Sequence, residues 1–236
     1  MFIFDPRYLI FALPALLLAF YAQWKVSSTY GRLSRKPNHR GLSGYEAARI
    51  LLRSAGLDQI RVEEVPGKLN DHYDPGKKTL RLSQGVAQNR SVAALGIVAH
   101  EVGHAMQDAT DYTPWRVRSG LVPVVRVGSW LGPAIFFAGF FLSALTGSAL
   151  IAWLGLFLFV GTVVFALITL PVEFNASKRA LQLLRSYQLA DGRELQEAKQ
   201  VLDAASLTYI AALAQAEGEA SVRAQAGLCP AAVLAA

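Results

Sequence analysis

Cysteine is almost absent. The one cysteine, Cys229, has no intramolecular partner, which excludes a disulfide-stapled secreted domain, and its isolation near the C-terminus keeps it out of any thiolate metal cluster. Charge is scarce too. Charged residues make up 17% of the chain against 53% hydrophobic ones, with a mean hydropathy of +0.32, a balance that excludes an ordinary soluble domain as the expected class. Histidine occurs only four times, and none follows His104. Nucleic acid is not an expected partner: the net charge is +6, but the basic residues flank apolar segments and are not interleaved with stacking aromatics.

What is present suggests a membrane protein. Residues 8–24 form an uncharged run between Arg7 and Lys25, long enough for a first transmembrane helix if its aromatic ends sit in the interfaces, and no small-x-small cleavage site marks it as a signal peptide. Lys25, Arg32, Arg35, Lys36 and Arg40 follow with no acid among them, which places that side in the cytoplasm by the positive-inside rule. From Val127 to Val172 there is no charged residue, and Thr146-Gly147-Ser148 lies near the middle. Residues 127–145 and 149–170 are therefore expected to be a second and third span, with Arg116, Arg118 and Arg126 before the pair and Lys178, Arg179 and Arg185 after it on the cytoplasmic side.

Residues 25–120 read as a water-facing region. Ser43 with Glu46 fits a capping box, and Ala47, Ala48, Ile50, Leu51 and Leu52 give a short amphipathic helix. IRVEEV (60–65) and TLRLS (79–83) read as strands of a β-hairpin around the turn-rich segment 70–76, with TLRLS as the edge strand that would pair with an extended substrate. Asp71, His72, Tyr73 and Asp74 read as turn formers before metal ligands, with His72 or Tyr73 as a possible oxyanion donor. Trp115, Arg116 and Arg118 look like a basic aromatic approach to a membrane interface. After the hairpin, 171–216 should hold a helix leaving the membrane and a final amphipathic helix; the alanine-rich tail 217–236 carries no assigned role.

The chemistry is concentrated in His100-Glu101-Val102-Gly103-His104, within an apolar stretch from Ser91 to Gln107 that is expected to be helical. Two imidazoles four residues apart lie one turn apart on one face and can share a metal ion, while Glu101 sits beside that ion as a proton acceptor for water. A hydrolytic zinc site takes three protein ligands. His39 and His72 precede the motif in a basic linker and a turn, so the third ligand should be a carboxylate downstream. Glu173 is the first acid after the uncharged stretch. Ala176, Ser177 and Ala180 share its helical face, small enough for close packing, and Ser177 is placed to support a ligand.

AHEVGHAMQ, the upstream NDHYDP and LRLS, and the downstream LPVEFNASKRAL and LDAASLTYIAAL resemble the YugP-like membrane zinc metallopeptidases through about Ala216. The resemblance implies one Zn2+ held by His100, His104 and Glu173 in gluzincin fashion, with Glu101 as base. The expected fold class is a mainly α membrane protein: about three transmembrane helices and a small α+β zincin-like catalytic unit on the cytoplasmic face of a prokaryotic plasma membrane. Its expected partners are the lipid bilayer and a polypeptide substrate, including membrane proteins. A catalytically latent, metal-stabilised membrane scaffold is the alternative.

Overall fold

The computed structural model describes residues 6–148 and 150–225, so Cys229 lies outside the described residues. In chain order the elements are α1 (Pro6–Leu33), α2 (Gly44–Ser54), β1 (Arg61–Val65), β2 (His72–Asp74), β3 (Thr79–Ser83), α3 (Gln84–Ala87), α4 (Val92–Ala109), α5 (Thr113–Thr146), α6 (Leu150–Ser186) and α7 (Gly192–Gln225). They form two compact units. One holds Ala22–Arg116 and Pro171–Leu207; the other holds Val117–Leu170 with the outer parts of α1 and α7.

The first of these units is built around α4. Ser91 caps it by accepting a hydrogen bond from the Ala94 amide, and nearly every side chain from Val92 to Ala105 is buried. The α2 capping box forms as the Ser43 and Glu46 spacing suggests, with each side chain accepting from the other's amide. Ala47, Ala48, Leu51 and Leu52 then turn inward into the same core as Leu80, Leu82, Leu95 and Val98. At the other side of α4, α7 approaches closely: a Cβ on Gly96 would stand 3.4 Å from that of Ala198.

The sheet corrects the expected hairpin. β1 pairs with β3 in parallel, and β2, which the turn-rich segment conceals, pairs with β3 antiparallel on the other side, giving the order β1-β3-β2. TLRLS is thus the middle strand and no edge. Thr79, Leu80, Leu82 and Ser83 are all buried, so both faces of β3 are covered, whereas β1 exposes a charged edge. Asp, Asn and Gly obscured β2 because they favour turns by local conformation, but Tyr73 is buried and fixes the segment as a strand. Asp74 still closes a turn, accepting from the amides of Gly76 and Lys77.

In the second unit, α5 and α6 form a helical hairpin turned at Gly147, whose φ is +68°. A Cβ at Gly139 would run into the Ile151–Ala152 backbone, and one at Gly155 into Phe136, so the two helices touch backbone to backbone. The three expected transmembrane helices are not supported. Among the described residues, no single helix is long and apolar enough to cross a membrane; one pair, Thr113–Gly132 with Ala134–Ser143, passes only jointly and is bent by 45°. Absence of charge is a weaker condition than sustained apolarity. Ser129, Gly132, Gly139 and Ser143 punctuate 127–145, and Pro14 lies inside the helix that covers 8–24; residue 149, the start of the third expected span, lies outside the described residues. Large apolar side chains nonetheless face outward here, among them Trp130, Phe137, Phe141, Leu145, Leu150 and Phe157.

Candidate metal centre

Two segments of the first unit make the site, α4 and the part of α6 from Pro171 onward. α4 presents His100 and His104 from successive turns, their rings 4.7 Å apart and nearly perpendicular. Glu173 comes from α6, two residues after Pro171. Its carboxylate is buried with Oε2 lying 3.1 Å from His100 Nε2 and 3.5 Å from His104 Nε2. The close approach depends on Gly103, between the histidines: a Cβ there would sit 2.6 Å from the Ala176 carbonyl oxygen. Ala176 and Ala180 are fully buried, so small residues line α6 at the crossing.

Gly103→Ala is accordingly expected to destabilise the protein, although alanine is the better helix former by roughly 1 kcal/mol. Overpacking against helix backbone costs about 1–3 kcal/mol, and no flexible side chain stands there to yield. Thermal melting should show a net loss, and zinc titration a weaker site, because α6 is pushed from α4. A variant that melts and binds zinc like wild type would mean the crossing is not tight.

Both imidazoles are oriented from behind. Gln107 is fully buried; its Oε1 lies 3.0 Å from His104 Nδ1, and its Nε2 donates to the Val172 carbonyl and to Asn175 Oδ1. Ser177 Oγ lies 3.2 Å from His100 Nδ1. If Nδ1–H donates in each case, as an ion at Nε2 would require, both Nε2 lone pairs are free for that ion; without one, the rings can instead donate Nε2–H to Glu173. Burial pushes the Glu173 carboxyl up, but hydrogen bonds and charge from the two imidazoles outweigh it and hold the group well below the usual carboxylate range. Glu101 behaves oppositely. It is driven up to about 7, first by burial and then by the Glu173 and Asp71 carboxylates, against the opposing pull of His100 and the Tyr73 amide.

The chain matches the family described as "putative neutral zinc metallopeptidase" over residues 8–219. It belongs to that family. It is also 42% identical over 205 residues to the "Putative membrane protease YugP" of Bacillus subtilis (strain 168), a match that spans 87% of this chain and 89% of the relative. No solved structure matches the chain.

The donor set fits the zinc of the metallopeptidase family's description. His100, His104 and Glu173 each offer a ligand atom within 4.8 Å of the others. Zinc bonds of about 2.0–2.1 Å at tetrahedral angles put ligand atoms about 3.3 Å apart, and the two nitrogen–oxygen separations lie either side of that value. A second cluster, His39, Asp191 and Glu194, is explained without a metal. Asp191 and Glu194 form a reciprocal cap at the start of α7, and Glu194 also accepts from the His39 amide and pairs with its ring.

Other parts of the metallopeptidase site were not legible as such. Trp115, expected at a membrane interface, is buried and stacks on His104 with ring centroids 5.0 Å apart. Tyr73 reaches the site through its backbone, its amide donating to Glu101 Oε2 at 3.0 Å, while its hydroxyl is engaged by Asp108. His72 is exposed, its Nδ1 lying 2.8 Å from the Asn70 carbonyl oxygen. Asp71 anchors β2 to the end of β3 by accepting from the amide and hydroxyl of Ser83. Gln107 gives a faint signal: it is a neutral polar residue three positions after His104 and seven after His100, on the helix face that carries both.

Proposed function

We propose that the chain is a zinc-dependent endopeptidase in which His100, His104 and Glu173 would hold one ion and Glu101 is the general base. The observation that carries this reading is the buried convergence of the three side chains with Glu101 beside them. Zinc bound there would act as a Lewis acid, polarising the scissile carbonyl and acidifying water. Glu101 would take the proton of the attacking water and pass it to the amine as the C–N bond breaks, a role suited to a carboxyl driven up to about 7. Gln107 and Ser177 keep the imidazoles in the tautomer that leaves Nε2 free for the ion.

β2 takes over the substrate-pairing role expected of TLRLS. It has β3 on one side only, and the Tyr73 amide points away from β3 toward Glu101. In a strand, the amide and carbonyl of one residue leave on the same side, so the Tyr73 carbonyl faces the open edge and can accept from an extended substrate beside the base. The apolar surface carried by Trp130, Phe137, Phe141, Leu145, Leu150 and Phe157 supports association with a lipid bilayer, in line with the relative named a membrane protease. Arg116, Arg118 and Arg126 favour an anionic, cytoplasmic leaflet, which makes polypeptides at or in the membrane the natural substrates.

The test is metal removal. The detergent-purified full chain should carry one zinc and cleave an unfolded polypeptide; a chelator should abolish cleavage, and added zinc should restore it. Cleavage that survives zinc removal would overturn the mechanism. Bound zinc with no cleavage, in detergent or in lipid vesicles, would favour the latent scaffold.

A further inference from the structure

Asp108 lies one helical turn beyond His104 on α4, and its carboxylate collects donors from three separate parts of the first unit. Tyr73 Oη donates to Oδ2 at 2.7 Å from β2, Lys78 Nζ at 2.5 Å from the β2–β3 turn, and Trp115 hydrogen-bonds the same carboxylate from the start of α5. The indole N–H is the only donor tryptophan has. Two of these partners lead straight back to the site. The Tyr73 amide holds Glu101, and the Trp115 ring lies on His104; the Tyr73 and Trp115 rings are themselves 6.2 Å apart.

We propose that Asp108 is a positioning residue that clamps β2 and Trp115 to α4 and thereby fixes the orientation of Glu101 and His104. It touches neither substrate nor metal. The role rests on the peptidase reading of this site, and it requires an acceptor of full negative charge at that position. An asparagine offers one uncharged acceptor oxygen in place of a carboxylate, which removes the charge that strengthens the hydrogen bonds from Tyr73, Lys78 and Trp115. Lys78 is mostly exposed and contributes charge without leading to the site, so it serves as the control.

The experiment compares Asp108→Asn, Tyr73→Phe and Lys78→Ala in the full-length, zinc-loaded protein. Two quantities are read: kcat per bound zinc, and hydrogen exchange of the 72–74 segment with 61–65 as internal reference. Asp108→Asn should retain zinc yet lose about 10–100-fold in kcat, the loss typical of removing an outer-shell partner. Exchange at 72–74 should accelerate at least about tenfold with 61–65 unchanged, since local opening is what the clamp prevents. Tyr73→Phe keeps the backbone amide and should change both in the same direction, the double variant should fall short of the product of the two, and Lys78→Ala should stay within about twofold of wild type.

Wild-type exchange at 72–74 in both Asp108→Asn and Tyr73→Phe would overturn the proposal, as would acceleration spread equally over both segments. Wild-type kcat per zinc in both variants of an active enzyme would also overturn it. If the wild-type protein cleaves no polypeptide, the functional reading fails by itself and exchange alone decides the clamp. Should Asp108→Asn fail to fold, Tyr73→Phe carries the same decision.

Discussion

Glu101→Gln is expected to bind zinc at wild-type stoichiometry and to lose turnover by about 10²–10⁴-fold, the range over which positioned acid–base catalysis acts. The substitution is nearly isosteric, and glutamine Oε1 can still accept the Tyr73 amide that Glu101 Oε2 now accepts at 3.0 Å. What it removes is the capacity to carry a proton. Stability should not suffer: a buried carboxyl already driven up to about 7 is replaced by a neutral group of the same shape, so the metal-free variant should melt no lower than wild type. Zinc analysis, thermal melting and steady-state kinetics together separate this outcome from a folding defect. Undiminished kcat in a zinc-loaded Glu101→Gln protein would remove Glu101 from the reaction.

The parts of the site that could be read from sequence are those whose chemistry is fixed by residue type and local spacing. His100, Glu101 and His104 stand on one helix, and helix geometry alone puts them together. Glu173 was reachable by a count of ligands, and the structure sets it against both histidines. A glycine at position 103 lowers helix propensity, a cost whose reason, the Ala176 carbonyl of α6, appears only at the helix crossing. Trp115 and Asp108 belong to the other kind. Nothing in their neighbourhood distinguishes a ring stacked on a buried histidine from one at an interface, because the deciding contact comes from a segment eleven residues away along the chain.

The fold shows the same division. The α2 cap is local and formed as expected, while the hairpin was misread because strand order is a non-local property. β3 is buried on both faces, and that burial marks a middle strand where a two-stranded hairpin made it an edge. The transmembrane reading failed differently: it took the absence of charge between Val127 and Val172 as two spans and residues 8–24 as a first, but among the described residues no single helix is long and apolar enough to cross a membrane. The functional consequence is specific. In the proposed peptidase, substrate pairing would move from β3 to β2, the strand whose Tyr73 amide donates to Glu101.

Glu173→Ala should separate metal binding from every other property of the site. Glu173 is 2% exposed and its Oε2 lies within 3.5 Å of both Nε2 atoms, so its loss leaves two imidazoles to hold an ion that takes three protein ligands in hydrolytic sites. Zinc affinity should drop by more than the 10–100-fold typical of losing an outer-shell partner, and turnover should vanish at zinc concentrations that saturate wild type. Glu173→Gln keeps the volume and an acceptor oxygen but not the charge, and should fall between the two. The stability readout sharpens the assignment. Zinc that binds only the folded state raises the melting temperature by an amount that grows with the logarithm of its affinity, so the zinc-induced shift of wild type should shrink in Glu173→Gln and disappear in Glu173→Ala at zinc below that variant's Kd. Loss of the metal-free fold would leave that comparison to Glu173→Gln, whose packing is preserved. An unchanged zinc affinity in both variants would mean that Glu173 orients the histidines without binding the ion, and the third ligand would have to be sought elsewhere.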